Sequence, residues 1–463
     1  MNRSQTVRRL PYLRLLLAVC GLAFHCLVRA GIELTTLVSF DGTNGFGPSC
    51  LIQATNGSFY GTALTGGEFN KGTIFRIDPD GNFSRLSSFD GTNGNTPLFL
   101  MQAHDGDFYG TTTYGGKWDL GTIWKMKPDG MFTNLFSFDG TNGSGPISLY
   151  ETSDGLLLGV TSYGGPKYSP NNALGLGTIF CVSGSDGFTN LAFFGGTNGA
   201  YPISIGKSGA GDLIGCTTFG GNGFQGYNNS GFGTVYSLST NGEIRTLLNF
   251  DGTNGLQPYF ATGVVIDESR AISGTLFSGG VGGNGAVFRL PLDGGGAHFD
   301  LFESPNGIHP AAMIRASDGN LYGLTPDWGA ADLGKVFRLT PDGVETLYTF
   351  DGVNGSHPEY VIIQGADNNF YGAASDGGAF NKGTIFRLSV PLRPTLQIDL
   401  SSTNTVALHW DAVVGQTYQF QSSTNLVEWQ DFGVLIPATN VAMSIVIEQA
   451  ESVEILFRLQ ILP

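Results

Sequence analysis

Two stretches carry residue types suited to holding a ligand. They are Gly165-Pro166-Lys167-Tyr168-Ser169-Pro170-Asn171-Asn172 and Gly223-Phe224-Gln225-Gly226-Tyr227-Asn228-Asn229. An aromatic ring stacks on a sugar ring or a peptide side chain, and a nearby amide fixes its orientation by hydrogen bonding. Tyr168, Phe224 and Tyr227, with Asn171, Asn172, Asn228 and Asn229, are therefore the candidate ligand-binding residues. Phe69, Trp118 and Trp328 stand at the equivalent place in segments that are mostly shorter. The competing expectation is that the aromatics fold down and pack their own loops.

Other chemistries find less support. Phe40-Asp41-Gly42-Thr43-Asn44-Gly45 recurs along the chain, and its Asp and Asn oxygens suit a hard cation. A calcium loop, however, needs oxygen ligands at alternate positions and a later acid, and none follows here. A turn accounts for the same residues: Asp and Asn bond their own backbone, and Gly supplies positive φ. A glycosidase needs two carboxylates in distinct environments, yet Asp80, Asp129 and Asp342 belong to repeated turns. His104, His309 and His357 lie in or beside turns without ligand spacing. No Gly-x-Ser-x-Gly elbow or phosphate loop is present. The sequence thus assigns no catalytic residue, no metal site and no cofactor. Cys50, Cys181 and Cys216 sit in apolar runs and read as small buried side chains, with a Cys181–Cys216 bridge as the alternative.

The elements that must position these residues are repeated. The motif returns at Phe89, Phe138 and Phe250, with looser copies at Phe194, Phe302 and Phe350. The phenylalanine spacings are 49, 49, 56, 56, 52 and 48, and a proline follows every copy, from Pro48 to Pro358. A period near 50 marks a propeller or a solenoid. Within one unit, Leu51 to Ala54, Phe59 to Leu64, Gly72 to Ile77 and Phe83 to Phe89 are short apolar runs. They are separated by Asn-Gly, Gly-Gly and Pro-Asp-Gly turns, which predicts a four-stranded antiparallel meander. Such a sheet cannot cover both its faces, but a ring of sheets can. Glycines recur inside the second strand (Gly61 to Gly372) and at the start of the third (Gly72 to Gly383). Close approach of neighbouring sheets is the expected cause. The last unit lacks a fourth strand, and Glu33 to Phe40 is a fourth strand without a unit. Joined, they close a ring. The fold class is all-β: a seven-bladed β-propeller closed by an N-terminal strand, with a small C-terminal β-sandwich.

Residues 1–30 hold five arginines, no acid, and an apolar run from Leu15 to Val28 before Val28-Arg29-Ala30. This predicts a cleaved signal peptide. Its removal takes the formal charge from −15 to −20, since five basic residues leave and no acid does. A surface that acidic repels nucleic acid and anionic lipid. The predicted domains are the signal peptide at 1–30, the propeller at 31–389, a linker at 390–394 and the sandwich at 395–463. Val406 to Trp410, Thr417 to Gln421, Val441 to Ile447 and Ile455 to Ile461 are its predicted strands.

The units Phe-Tyr-Gly-Thr, Gly-Gly and Gly-Thr-Ile-Phe-Arg, joined to Phe-Asp-Gly-Thr-Asn-Gly, resemble the GloVer ("choice-of-anchor") tandem repeat over roughly Leu34 to Leu388. Gly285-Ala286 and Gly334-Lys335 depart from its Gly-Thr. The resemblance implies a secreted or surface-associated bacterial protein with no established chemistry. The tail, from Gly415-Gln416-Thr417-Tyr418 to Phe457-Arg458-Leu459, resembles a fibronectin type III-like module. The function expected is a surface binding module for an extracellular glycan, peptide or protein, with no membrane span after signal cleavage. An extracellular polysaccharide-active enzyme and a purely structural surface protein are the alternatives.

Overall fold

The computed structural model describes residues 32–390 apart from 170–172, 184–186, 208–212, 227–229, 240, 259–264, 267–270, 294, 304–306, 328–332 and 341–342. Beyond these it describes 396–402, 405–411, 417–423, 428–437, 442–448 and 456–462. The chain divides into two compact units, Ile32–Val390 and one containing Pro391–Pro463. The predicted signal segment lies outside the described residues. Among the described residues, no helix is long and apolar enough to cross a membrane.

Seven antiparallel sheets follow one another along the first unit. The first blade pairs Phe46–Gln53, Phe59–Thr65, Thr73–Ile77 and Phe83–Ser88 in that order. The second pairs Asn95–Gln102, Phe108–Tyr114, Thr122–Met126 and Phe132–Ser137. The third pairs Ser144–Glu151, Leu157–Tyr163, Thr178–Ser183 and Gly187–Phe193. In the fourth and fifth the first strand is in two pieces, Ala200–Pro202 with Gly206–Lys207 and Leu256–Pro258 with Val265–Ile266. The sixth is a plain meander from Met313–Arg315 to Gly343–Thr349. The seventh takes Ile362–Gln364, Phe370–Ala374 and Thr384–Ser389 from one end of the unit and Glu33–Ser39 from the other. Leu34 lies opposite Leu388, and Thr36 opposite Phe386. The unit is a seven-bladed β-propeller, closed by its N-terminal strand.

The repeated residues make the joints between blades. The motif phenylalanine at the end of each fourth strand is buried. Its ring meets the third-strand aromatic of the next blade: Phe40 on Phe75, Phe89 on Trp124 and Phe138 on Phe180, and so on to Phe350 on Phe386. Burying such a ring stabilises by about 1.5–3 kcal/mol, so seven such joints account for much of the apolar adhesion.

The two glycine series have different causes. A Cβ on Gly72 would sit 2.3 Å from Cδ of Pro97 in the next blade, so this series does serve the approach of neighbouring sheets. The second-strand series does not, which corrects the expectation. A Cβ on Gly61 would meet the Phe75 ring at 2.3 Å and the Cys50 carbonyl at 2.4 Å, both within its own blade. Gly61 lies opposite Phe75 in the ladder, so the glycine makes room for the ring that the motif phenylalanine then covers. The Gly-Ala departure also has a packing sense. Thr112 and Thr122, or Thr217 and Thr234, share a buried hydroxyl pair at 2.8 Å. In the fifth blade Ala286 faces Leu276, so an apolar pair fills the same place. Cys50, Cys181 and Cys216 are free thiols, and only Cys216 is fully buried.

The second unit contains two three-stranded antiparallel sheets. One orders Leu396–Ser402, Thr405–Asp411 and Ala442–Glu448; the other places Thr417–Ser423 between Gln430–Pro437 and Leu456–Leu462. Leu396–Ser402 and Gln430–Pro437 add to the four predicted strands. Trp410, from the first sheet, contacts Tyr418 and Phe420 of the second, at 6.0 and 5.2 Å between ring centroids.

Candidate functional site

The Asp-Gly-Thr-Asn-Gly loops close on themselves. Asp41 Oδ1 accepts from the Thr43 N–H at 2.8 Å, the Thr43 hydroxyl at 2.7 Å and the Asn44 N–H at 3.0 Å. Asn44 Oδ1 in turn accepts from the Asp41 N–H at 2.9 Å. The loops at Asp90, Asp139 and Asp251 repeat this geometry. These donors hold the carboxyls below their ordinary range: chiefly the Thr43 hydroxyl for Asp41, and the Asn93 and Asn254 N–H groups for Asp90 and Asp251.

The loops between second and third strands share the ring face of these turns, because a meander puts both connections at one end. In the seventh, first and second blades they present Phe380, Phe69 and Trp118, exposed by 59%, 50% and 55%. The loops themselves are firmly held. Asn381, Asn70 and Asp119 sit at positive φ, and each side chain accepts from the glycine N–H four residues back (Gly377, Gly66 and Gly115). A row of exposed aromatics thus occupies one position on three consecutive blades.

In the third and fourth blades the same position is built differently. Tyr168 lies on a two-residue hairpin arm, Tyr168–Ser169 against Ala173–Leu174, and its ring covers Gly140. A Cβ on Gly140 would be 2.2 Å from that ring. Phe224 covers Gly196 in the same way, at 2.1 Å. At two other motif glycines a lysine stem does this work, Lys382 over Gly42 and Lys71 over Gly91, while Phe232 lies near Gly252 and Leu333 near Gly352. The two rings are therefore half-buried and serve their own loops. Asn171, Asn172, Tyr227, Asn228 and Asn229 lie outside the described residues, as does Trp328.

The opposite ring face, formed by the first-to-second and third-to-fourth turns, carries two contacts that repeat at three of the seven joints. Tyr371 packs on Phe59 of the next blade at 4.3 Å, Tyr60 on Phe108 at 4.2 Å, and Tyr322 on Phe370 at 4.2 Å. Likewise Gln53, Gln102 and Gln364 accept from a backbone N–H of the preceding blade, at Ala366, Thr55 and Ser317. Between the second and third blades the phenylalanine is replaced by Leu157 and the glutamine by Glu151. A cleft of about 570 Å³ opens there, lined by Tyr109, Lys125, Leu135, Leu157, Val182, His104 and Glu151 among others.

The polar groups of this cleft are ordered. Glu151 Oε2 accepts from the His104 N–H at 2.8 Å and meets His104 Nδ1 at 2.7 Å. Lys125 Nζ lies 3.0 Å from Asp105 Oδ2, 2.8 Å from Asp107 Oδ2 and 4.9 Å over the Tyr109 ring. The Tyr109 hydroxyl donates to Asp105 at 2.8 Å. Burial works to raise the Asp105 carboxyl, but the bonds from Lys125 and Tyr109 outweigh it and hold it low. Burial works to lower Lys125, and the bonds to Asp107, Tyr109 and Asp105 lift it well above its ordinary range. Lys125 is therefore a neutralised cation inside an acidic rim.

The profile of the Gloeobacter/Verrucomicrobia repeat matches residues 19–227 and 223–426. The chain belongs to this repeat family. No curated protein matches it. Among solved structures, the GloVer propeller is similar to the extracellular domain of a one component system from B. thetaiotaomicron. There the identity is 11% and the TM-score 0.51, over 92% of this chain and 57% of that one. It is also similar to a fungal alcohol oxidase of the AA5 family in complex with copper, at 12% identity and TM-score 0.50, over 84% and 85% of the two chains. Puromycin hydrolase matches at 10% identity and TM-score 0.50, over 83% and 61%. At such identities these likenesses speak to the fold alone.

The cleft is the feature that reading the sequence missed. A partial signal was available: Glu151 is the acid at a register otherwise held by Gln53, Gln102, Lys207, Ile266, Arg315 and Gln364, and Leu157 follows a blade that has its tyrosine, Tyr109, without supplying the ring of Phe59, Phe108 and Phe370. Insertions draw attention by length, whereas these two substitutions keep the length unchanged.

Proposed function

We propose that this GloVer-repeat propeller is exported and works as an interaction module at the cell surface, engaging an extracellular glycan or protein through its loop face. The observation that carries the reading is the row of Phe380, Phe69 and Trp118. Single exposed apolar residues are ordinary. Three large ones at one repeated position, on rigid loops of consecutive blades, form a preorganised surface that loses little entropy on binding. We take the two inserted segments, whose sequence holds Tyr168, Phe224, Tyr227 and the asparagines Asn171, Asn172, Asn228 and Asn229, as secondary contributors to the same ligand. The basic, apolar start of the chain and the acidic balance of the remainder support an extracytoplasmic setting, and so does the name of the extracellular-domain relative. The tail, on this reading, is an accessory β-sandwich of the fibronectin type III kind.

A glycan and peptide array probed with the full chain tests the module. The best ligand should lose most of its binding to Phe69→Ala with Trp118→Ala and Phe380→Ala, while the melting temperature stays near that of the parent. The exchange Tyr168→Ala with Tyr227→Ala should weaken binding less, because Tyr168 is already used to cover Gly140. Undiminished capture by the triple variant overturns the assignment. Export is read from protein recovered from its host, which should begin at Gly31; retention of Arg3 to Arg14 refutes it.

A further inference from the structure

We propose that the cleft between the second and third blades is a second binding site, on the ring face opposite the aromatic row, and that it takes a guanidinium group, as on an arginine side chain. The shape of the vacancy states what is missing. At three other joints a planar ring from the next blade lies against the tyrosine of the preceding one, at 4.2–4.3 Å between centroids. Tyr109 keeps the tyrosine, and Leu157 withdraws the ring. A planar group from outside fits the same slot.

The charge of the slot selects among planar groups. Glu151 has a side chain only 10% exposed. Its Oε2 serves His104, while Oε1 has no partner among the described residues. A nearly buried carboxylate that presents one free oxygen on the cleft wall favours a charged donor, since charge-assisted hydrogen bonds are the strong ones. Lys125 cannot supply one, because Asp105 and Asp107 hold it. Counting Asp105, Asp107 and Glu151 against Lys125, the site has an excess of negative charge. Leu135, Leu157 and Val182 add an apolar wall suited to a methylene stem. A guanidinium meets all three demands: it is planar and stacks on aromatic faces, it is always charged, and its fork pairs with carboxylates. An ammonium meets only the charge, and a neutral aromatic only the plane.

The repeat itself supplies the test variants. Glu151→Gln restores the residue of three other joints, keeping an acceptor for the His104 N–H while removing the charge. Leu157→Phe restores the ring and fills the slot. Both are residues this fold already accepts at the same register, so both should melt near the parent temperature. The full chain is titrated calorimetrically with acetyl-Gly-Arg-Gly-amide, its lysine and citrulline counterparts, and free arginine. The arginine peptide should bind, and the citrulline peptide should not. The lysine peptide should bind at least about tenfold more weakly, and Glu151→Gln should cost at least about tenfold. Leu157→Phe should abolish binding. Trp118→Ala, on the other face, should leave it unchanged, which separates this site from the surface module. Tighter binding of the peptide than of free arginine identifies a protein partner; the reverse identifies a small guanidinium metabolite. Absence of arginine-peptide binding at millimolar concentration overturns the proposal. So does equal binding by the citrulline peptide, by the lysine peptide, or by Glu151→Gln; the Glu151→Gln titration decides the question if Leu157→Phe fails to fold.

Discussion

Pro48 of the first blade lies against Gly383 of the seventh: a Cβ on Gly383 would sit 2.5 Å from Pro48 Cδ. The same contact joins Gly72 to Pro97, Gly121 to Pro146, Gly177 to Pro202, Gly233 to Pro258, Gly285 to Pro310 and Gly334 to Pro358. Six of these pairs lie about 25 residues apart along the chain. The seventh links the two ends of the propeller, so the ring closes with the contact that builds its other joints. Proline suits the position because it presents a compact ring and has no N–H to leave unpaired.

Closure can therefore be weakened at one atom. Gly383→Ala places a side chain at φ +95 and into Pro48. Left-handed backbone and overpacking together should cost about 2–4 kcal/mol. Deleting 32–40 removes the fourth strand of the last blade and exposes a sheet edge. Denaturant titration should show both losses, with aggregation added for the deletion. A truncated protein as stable as the parent would contradict closure by the clasp.

The two roles of glycine separate in the same way. Gly81 has φ +87 and open space around it, so Gly81→Ala reports backbone strain alone, about 1–2 kcal/mol. Gly110 has an ordinary φ, but its Cβ would lie 2.2 Å from the Trp124 ring and 2.3 Å from the Phe99 carbonyl. Gly110→Ala should cost more than Gly81→Ala, because neither the buried ring nor the backbone has room to yield. The order of the two midpoints in urea checks this, and a reversed order would remove the packing account of the second-strand series.

The turn carboxylates predict an acid response. Asp41, Asp90, Asp139 and Asp251 are held below the ordinary value of 3.8 by the hydrogen bonds of their own loops. A carboxyl lowered in the folded state contributes stability above its unfolded value, and that contribution fades as pH falls through the folded one. The melting temperature should thus decline as pH drops from about 5 through this range. Solvent exposure keeps each contribution small. Asp90→Asn retains an acceptor for Thr92 and Asn93 and removes the titration. Combined with Asp41→Asn, Asp139→Asn and Asp251→Asn, it should flatten the decline; an unchanged slope would assign the acid response to other groups.

The sequence by itself determined the meander of the propeller units, the blade count and the clasp. These rest on local chemistry: glycine and proline punctuation, short apolar runs, and a motif that returns often enough to be counted. The split of one unit between Glu33–Ser39 and Ile362–Ser389 was legible for the same reason, since a missing strand and a spare strand are both local facts. What Tyr168, Leu157 and Glu151 do was decided by the tertiary structure. Tyr168 became a cover because Gly140, 28 residues earlier, was brought beneath it with no lysine stem upon it. The cleft exists because Tyr109 and Leu157 meet across a joint where every stacked counterpart has a second ring. Local pattern fixes which way a side chain points; what it meets there is set by the neighbouring blade, about 50 residues away.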